Sequence, residues 1–313
     1  MKYAAVIAAA GLSSRMHEFK PLMCLGENTV IENVIHNLKD AGVHEIVVVA
    51  GYKADILEKH VQMLGVKVCV NEGYAETKMY DSLKMGMECL EAPYDYVFLT
   101  PGDVPLVKPE TIRHMEGLGE KIVRPMCGGK CGHPILVSSE LVPELLEYNG
   151  ENGLKGAIFS LGERIYDMQV DDVGVLLDAD TPEDFKVLRK QAAERRSMGR
   201  LWPDIRIHIT KVDTVLTPET SQFLEMIEHT GSIQGACACM HMSYSCGWRK
   251  LNRMEKELGY QLVERFPGGI SGGGSTLTEK GRRLLKAYQE FQSELRQMAQ
   301  ELFERKFPDD LHG

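Results

Sequence analysis

The sequence lacks the features that mark membrane, secreted and repeat proteins. No apolar run reaches the roughly 18 residues of a membrane helix, and the first ten residues lack the charged start and long apolar core of a secretory signal. The eight cysteines lie far apart along 313 residues, and internal repeats and low-complexity tracts are absent. We therefore expect a soluble, cytoplasmic protein with reduced thiols and no membrane partner.

The chain also lacks an overall basic charge, which argues against nucleic-acid binding over its whole surface. Its formal net charge is -9, but residues 1–199 hold 21 Lys and Arg against 30 Asp and Glu, whereas residues 200–313 hold 15 of each. Residues 244–286 contain nine basic and four acidic side chains. A local DNA-binding patch is therefore compatible with an acidic protein.

Short apolar runs alternate with amphipathic stretches in the first two thirds of the chain. Buried strands are predicted at residues 3–8, 45–50, 66–70 and 96–100. Val30, Val34 and Leu38 repeat at helical spacing between two of these strands. This order predicts an α/β domain with a Rossmann-like, mostly parallel sheet, whose strand C-termini meet at one ligand-binding edge.

Helical periodicity stops in a charged segment that ends in Trp202-Pro203. We therefore predict one domain over residues 1–196, a linker over 197–204 and a second domain over 205–308. The second domain should contain a strand at 205–209, helices near 218–229, 232–241 and 243–258, a glycine-rich hairpin, and a long helix over 278–305. That pattern is typical of a winged helix-turn-helix with a long terminal helix.

The loop after the first strand is built from small residues and is followed by two cations, Arg15 and Lys20. Its small residues include Ala9, Ala10, Gly11 and Ser13. Such a loop lets backbone N–H groups approach a triphosphate, whose charge the cations would offset. From loop chemistry alone, an ordinary strand-to-helix turn with two solvated cations is an equal alternative.

Two acidic segments are predicted to reach the same sheet edge. Asp103 follows a buried strand within Pro101-Gly102-Asp103-Val104-Pro105, and Asp180 lies in a cluster over residues 178–184 that should follow a strand and precede a helix. Magnesium favours a few carboxylates together with phosphate oxygens and waters. A plain helix start explains Glu183 and Asp184, but it leaves Asp178 and Asp180 unexplained. We therefore predict a magnesium site at Asp103 and Asp180.

These motifs occur together, in order, over residues 1–195, and they resemble the molybdopterin nucleotidyltransferase family. Gly132-His133-Pro134 and the Gly150–Gly156 stretch are similar to its cytidylyltransferase branch, and Ala9-Ala10 with Ser13-Ser14 favour CTP over GTP. The resemblance implies transfer of CMP from CTP to the phosphate of molybdopterin or molybdenum cofactor, with release of pyrophosphate.

The same resemblance implies roles for individual residues. Asp103, Arg15 and Lys20 would be catalytic, and Ser82, in a Ser-Leu-x-x-Gly pattern, would help to hold the base. His133 is a candidate for the acceptor pocket, although a hydrogen-bonded histidine at a strand end is an equal alternative. Lys78 departs from the pattern, because a glycine commonly stands at its position.

In the second domain, one apolar stripe is predicted to form the inner face of the helix-turn-helix. It consists of Ile233, Ala236, Trp248, Leu251, Met254 and Leu258, with Trp248 in the core. The side chains left for DNA are Tyr244, Ser245, Arg249, Asn252 and Arg253. Arg265 and the glycine-rich wing would meet backbone phosphate.

Residues 205–307 resemble the N-terminal domain of the molybdate regulator ModE, which is akin to LysR-type winged helices. The matching motifs are Gly231-Ser232-Ile233, Ser243-Tyr244 with Trp248, Leu262-Val263-Glu264-Arg265 and Leu277-Thr278 through Gly281. The resemblance implies double-stranded DNA as a partner and a homodimer formed by the terminal helix.

Each domain has an alternative role that stays open, and a zinc site is disfavoured. The winged helix could bind a protein or only dimerise, and the first domain could sense nucleotide or cofactor without turnover. Zinc sites at Cys127, Cys131 and His133, or at Cys237, Cys239 and His241, are disfavoured, because neither set has paired Cys-x-x-Cys spacing.

Overall fold

A mostly parallel sheet is the centre of the first part of the chain. The computed structural model describes residues 1–12, 19–26, 28–91, 93–198, 205–269 and 272–307, and the chain divides into two units, Met1–Ala192 and Ala193–Gly313. The elements that begin in the first unit are, in chain order, β1 (Tyr3–Ala9), β2 (Cys24–Leu25), β3 (Asn28–Thr29), α1 (Val30–Ala41), β4 (Glu45–Ala50), α2 (Ala54–Val61), β5 (Lys67–Val70), α3 (Met79–Glu88), β6 (Tyr96–Pro101), α4 (Pro109–Glu116), β7 (Ile122–Cys127), β8 (Lys130–Cys131), β9 (Ile135–Ser138), α5 (Val142–Glu147), α6 (Gly153–Ser160), β10 (Ile165–Gln169) and α7 (Pro182–Met198), and the boundary between the units falls within α7.

The strand order is β10-β7-β9-β6-β1-β4-β5, with β8 paired to β7. The four strands predicted from apolar runs are present, and β1 pairs in parallel with β4 and β6. Three of them are buried as predicted, whereas β5 is half-buried with Val70 exposed, because it lies at the edge of the sheet. Strand β9 instead runs antiparallel to β6 and β7. The chain reverses before β9 at Gly128 and Gly129, which both adopt positive φ between β7 and β8. The α/β fold class is as predicted.

Local sequence signals explain where the helices around the sheet begin and pack. Helix α1 begins at a capping box formed by Thr29 and Glu32. Helix α3 lies close to β1 and β4 at Gly86, where an added Cβ would overlap Val6 and Val49. The glycine of the Ser-Leu-x-x-Gly pattern therefore permits α3 to approach the sheet.

One prediction for the acidic cluster is wrong in its local structure. The segment before Asp178 is a short 3-10 helix, Val173–Leu176, rather than a strand. Buried Asp172 caps this turn and accepts hydrogen bonds from the Lys108 and Gly174 amides. The Asp172 side chain thus accepts hydrogen bonds from backbone amides at the position where pairing with a neighbouring strand was expected.

The second unit contains a helix-turn-helix and a two-stranded wing. Its elements are β11 (Ile209–Thr210), β12 (Thr214–Leu216), α8 (Pro218–Thr230), α9 (Ile233–Cys239), α10 (Tyr244–Leu258), β13 (Val263–Gly269), β14 (Gly272–Leu277) and α11 (Glu279–Lys306). Ser232, Ser243 and Thr278 cap α9, α10 and α11 through their side chains. The predicted helices are confirmed.

Three local predictions for this unit need correction. The strand expected at 205–209 is only Ile209–Thr210, because its partner β12 extends no further than Leu216. Pairing in the wing continues to Gly269 and Gly272, so the tip is shorter than the glycine-rich run suggested. Ile233, Ala236, Leu251 and Met254 are buried as expected, whereas Trp248 and Leu258 are only half-buried.

Within the part of the chain that the structure describes, no helix has both the length and the hydropathy that a membrane crossing requires.

Candidate functional site

A cavity of about 220 Å³ opens at the carboxyl ends of β1 and β6. The predicted residues that line it are Ala9, Ala10, Gly11, Lys20, Ser82 and Asp103. We refer to this cavity as the first cavity. The predicted residues Ser13 and Arg15 lie outside the described residues. Residues from four separate segments therefore meet at the predicted ligand-binding edge of the sheet, and Asp180 lies outside the lining.

Lys20 joins the two predicted metal ligands. Its Nζ lies 2.5 Å from Asp180 Oδ1 and 3.4 Å from Asp103 Oδ2, and its side chain is 12% exposed. Lys20 begins a 3-10 helix, Lys20–Leu22, whose Pro21 and Leu22 are buried. Buried neighbours thus fix a flexible side chain next to two carboxylates that are far apart in sequence.

The two acidic segments are held together by the backbone and by a small buried residue. The Ala179 amide donates to the Asp103 carbonyl oxygen at 2.9 Å, and the Ala179 side chain packs in a cluster with Leu106 and Phe185. Asp184 accepts from the Thr181 amide and hydroxyl at the start of α7. The helix start therefore accounts for Asp184, as expected, while Asp178 and Asp180 flank the buried Ala179.

The electrostatics of this cluster favour a bound cation. Burial raises the pKa of Asp103, while Lys20 opposes the shift and Asp180 adds to it. Burial likewise raises the pKa of Asp178, and Asp180 and Asp103 raise it further. Asp103 and Asp180 supply hard oxygen donors of the kind that magnesium prefers, and the Lys20 ammonium contacts both of them. The residues present therefore fit a divalent metal ion.

The sequence reasoning missed Asn71, which organises the floor of the first cavity. Asn71 is buried directly after β5, and its Nδ2 donates to Thr77 Oγ1 at 2.9 Å and Ser82 Oγ at 3.1 Å. The backbone amide of Asn71 donates to the Ala50 carbonyl oxygen. A polar residue directly after the predicted strand at 66–70 was the signal that could have identified it.

A larger cavity of about 600 Å³ adjoins the first, and we call it the second cavity. Among the described residues that line it, the cations are Lys78, Arg124 and Lys155, and none is acidic. Most of the remaining lining is apolar, and Phe159, which is 80% exposed, stands at its rim. The composition suits an anionic ligand that carries an apolar body.

His133 lies in the lining of the second cavity. Its Nδ1 is buried, and no hydrogen-bond partner for it is found among the described residues. Burial lowers the pKa of His133 to about 4, so the imidazole is neutral near pH 7. The neighbouring Gly132 is required, because a Cβ there would overlap the Val175 backbone. The glycine thus allows the loop to bring a neutral ring to the cavity.

All the helix residues predicted for DNA contact are exposed on α10. They are Tyr244, Ser245, Arg249, Asn252 and Arg253. The Arg249 Nε donates to the Ser245 carbonyl oxygen at 3.3 Å, and Arg253 pairs with Asp213 at 3.2 Å. Arg249 therefore has no carboxylate partner among the described residues, whereas Arg253 would have to share its charge.

Trp248 is not the core residue that its apolar position predicted. Its ring stacks on Tyr244 with centroids 5.9 Å apart, and the Arg265 guanidinium lies 4.1 Å from its centroid. Glu255 pairs with Arg265 at 3.5 Å and accepts from the Leu262 amide. The indole is covered by a wing arginine and a tyrosine, so it joins α10 to β13 at the surface.

These features define a Rossmann-like nucleotidyltransferase domain joined to a winged helix-turn-helix domain. The chain belongs to the family described as "MobA-like NTP transferase domain", whose model matches residues 5–165. A second family model, "Bacterial regulatory helix-turn-helix protein, lysR family", matches residues 220–282. The resemblance inferred from the sequence motifs is thereby confirmed for both domains.

Individual relatives agree with this assignment. The molybdenum cofactor cytidylyltransferase of Escherichia coli K12 is 27% identical over 191 residues, which is 60% of this chain and 96% of that protein. The molybdenum transport protein ModE of Azotobacter vinelandii is 36% identical over 99 residues, which is 30% of this chain and 37% of that protein.

A solved structure resembles the first domain. The crystal structure of Rv0371c from Mycobacterium tuberculosis H37Rv superposes with a TM-score of 0.54 and is 26% identical, covering 61% of this chain and 98% of that one. The first domain is thus a nucleotidyltransferase domain similar to the cytidylyltransferase, and the second is a ModE-like DNA-binding domain.

Proposed function

We propose that the first domain transfers CMP from CTP to the phosphate of molybdopterin or molybdenum cofactor and releases pyrophosphate, with Mg²⁺ as cofactor. The observation that carries the proposal is the contact of Lys20 with both Asp103 and Asp180, since Lys20 and Asp103 line a cavity that adjoins a second, cation-lined cavity. Similarity to the Escherichia coli cytidylyltransferase over nearly its whole length supports the choice of reaction.

In this proposal the triphosphate lies along the small-residue loop of the first cavity. Backbone N–H groups of Ala10 and Gly11 approach the phosphates, Lys20 and Arg15 offset their charge, and the base lies beside Ser82. Asp103 and Asp180 would hold magnesium, which when bound supplies a positive charge at the α-phosphate and the leaving group. Those carboxylates then release the Lys20 ammonium toward the triphosphate.

The second cavity would hold the acceptor. Its cations attract a phosphate, and its apolar walls accommodate a planar ring system. The neutral imidazole of His133 can form a hydrogen bond with that ring system. An oxygen of the acceptor phosphate forms the new bond to the α-phosphorus as the bond to pyrophosphate breaks. The protein contributes position and charge, and no side-chain nucleophile is required.

Nucleotide choice is the first prediction. With Mg²⁺ and molybdopterin, we expect CTP to support pyrophosphate release with a kcat/KM at least about tenfold above that of GTP or ATP, which corresponds to about 1.4 kcal/mol of discrimination by the base site. A coupled pyrophosphate assay on the full chain measures this. Equal use of all three nucleotides would contradict CTP specificity, and turnover with none would favour the nucleotide or cofactor sensor.

For the second domain, we propose binding to double-stranded DNA as a homodimer that regulates molybdenum-related genes. The exposed face of α10 and the similarity to ModE support the DNA contact. Helix α11 carries exposed Phe291, Met298 and Leu302 along its apolar stripe, which supports self-association. Arg265, on strand β13 of the wing, would contact the phosphate backbone of the DNA.

The recognition helix is tested by Arg249→Ala. We expect affinity for upstream DNA of molybdenum genes to fall about tenfold or more, because an exposed arginine that contacts a base contributes about 1–3 kcal/mol. Gel-shift titration of the full chain at fixed salt measures the effect. Lys250→Gln is the control, since Lys250 pairs with Glu219 on another side of the helix. Equal affinities for the two variants would exclude our placement of α10.

A further inference from the structure

The two cavities of the first domain share a boundary. Lys78 and Met79 line both of them, where the chain enters α3. Both side chains are exposed. Any two ligands that occupy the cavities together would therefore meet next to these two residues.

The other cations near this boundary are engaged or lie to one side. Lys20 contacts Asp103 and Asp180, and Arg124 pairs with Asp167 at 2.7 Å. Lys155 lines the second cavity only. For Lys78, in contrast, the described part of the chain contains no ion pair. Its ammonium group is thus available to a ligand in either cavity.

We propose that Lys78 binds the acceptor phosphate and the nucleotide α-phosphate together and so bridges the two substrates. The proposal rests on the nucleotidyl transfer proposed above. Two anions must approach to bonding distance, and a cation between them offsets their repulsion as the transfer proceeds.

The role requires no proton transfer by Lys78. The acceptor oxygen forms a bond to the α-phosphorus, the bond between that phosphorus and pyrophosphate breaks, and pyrophosphate leaves with the electron pair. Lys78 remains an ammonium ion throughout and lowers the charge repulsion between the reacting groups.

The test is Lys78→Met in the full chain. With CTP, Mg²⁺ and molybdopterin, we expect kcat/KM for the acceptor to fall about a hundredfold, the loss typical when one group that stabilises transition-state charge is removed. Equilibrium dialysis should show CTP affinity within about threefold of the original protein, because loop amides and Lys20 supply most triphosphate contacts. Lys78→Arg should restore most of the activity, since it returns the charge.

Lys59→Met is the matched control, because Lys59 is an exposed lysine of α2 that lines neither cavity. Acceptor kcat/KM for Lys78→Met within twofold of the control would overturn the proposal. So would a parallel loss of CTP affinity and turnover, which would assign Lys78 to the nucleotide alone.

A binding measurement separates this inference from the function on which it rests. Molybdopterin is titrated into protein saturated with a non-hydrolysable CTP analogue, and Lys78→Met should weaken its binding at least tenfold. If the original protein binds both ligands but turns over no nucleotide, the transferase function fails while the bridge can still be judged by this titration. Unchanged molybdopterin affinity in Lys78→Met would overturn the bridge whatever the turnover.

Discussion

We expect Asp103→Asn to reduce the rate of pyrophosphate release from CTP by about a thousandfold. This factor corresponds to about 4 kcal/mol of lost transition-state stabilisation. Asparagine has the size of aspartate and can still accept a hydrogen bond from Lys20, but it removes one of the charges that would hold the metal ion. The neighbouring Asp180 keeps its contact with Lys20 at 2.5 Å. Steady-state kinetics at saturating Mg²⁺ measure the change.

Asp55→Asn is the matched control, because Asp55 is an exposed carboxylate in the first turn of α2. The thermal midpoint of both variants should stay close to that of the original chain, since neither change alters the Ala179 amide contact to the Asp103 carbonyl oxygen. Full activity in Asp103→Asn would remove Asp103 from the metal site. An equal loss in both variants would point to damage elsewhere.

Gly247→Val is expected to lower the stability of the helix-turn-helix by about 3 kcal/mol or more, because the added atoms overpack a closed helix contact. A Cβ at Gly247 would overlap the Cys237 Sγ and approach the ring of Phe223 to 2.8 Å, and both of these side chains are buried. DNA affinity in the gel-shift titration should fall at least about thirtyfold as α10 is displaced.

Urea unfolding followed by tryptophan fluorescence measures the loss of stability. In a Trp202→Phe background the remaining indole, Trp248, reports on the second domain, since the chain has two tryptophans. Gly274→Ala is the control, because its added Cβ meets no atom nearer than 3.8 Å. A Gly247→Val protein with an unchanged urea midpoint would show that the helices can separate at no cost, contrary to this packing.

The apolar patterns were sufficient for most elements of both domains. Buried strands such as Glu45–Ala50 match the predicted bounds, and α9, α10 and α11 each begin within one residue of the predicted start. These signals are local, because strand burial and helix capping depend on residues within a few positions of each other. Both family resemblances also followed from short motifs.

Local signals were misleading where a side chain is covered by a distant segment. Trp248 occupies the apolar stripe of α10, yet its ring is covered by Arg265 from the wing. The apolar stripe of α10 does not indicate whether a side chain at its edge will be covered by core residues or by the wing. The antiparallel direction of β9 was not predicted, because it depends on the chain reversal at Gly128 and Gly129 and on pairing with β6, which is distant in sequence.

The sequence by itself therefore determined the two domains' classes, the strand and helix pattern, and the residue types of the nucleotide loop and acidic segments. Only the tertiary structure decided that Lys20 contacts Asp103 and Asp180 together, and that Lys78 stands between two cavities. The physical reason is that periodicity and capping act over a few residues. A shared site depends on how distant strand ends and loops converge in space, which is decided by packing and backbone contacts such as that of Ala179 with Asp103.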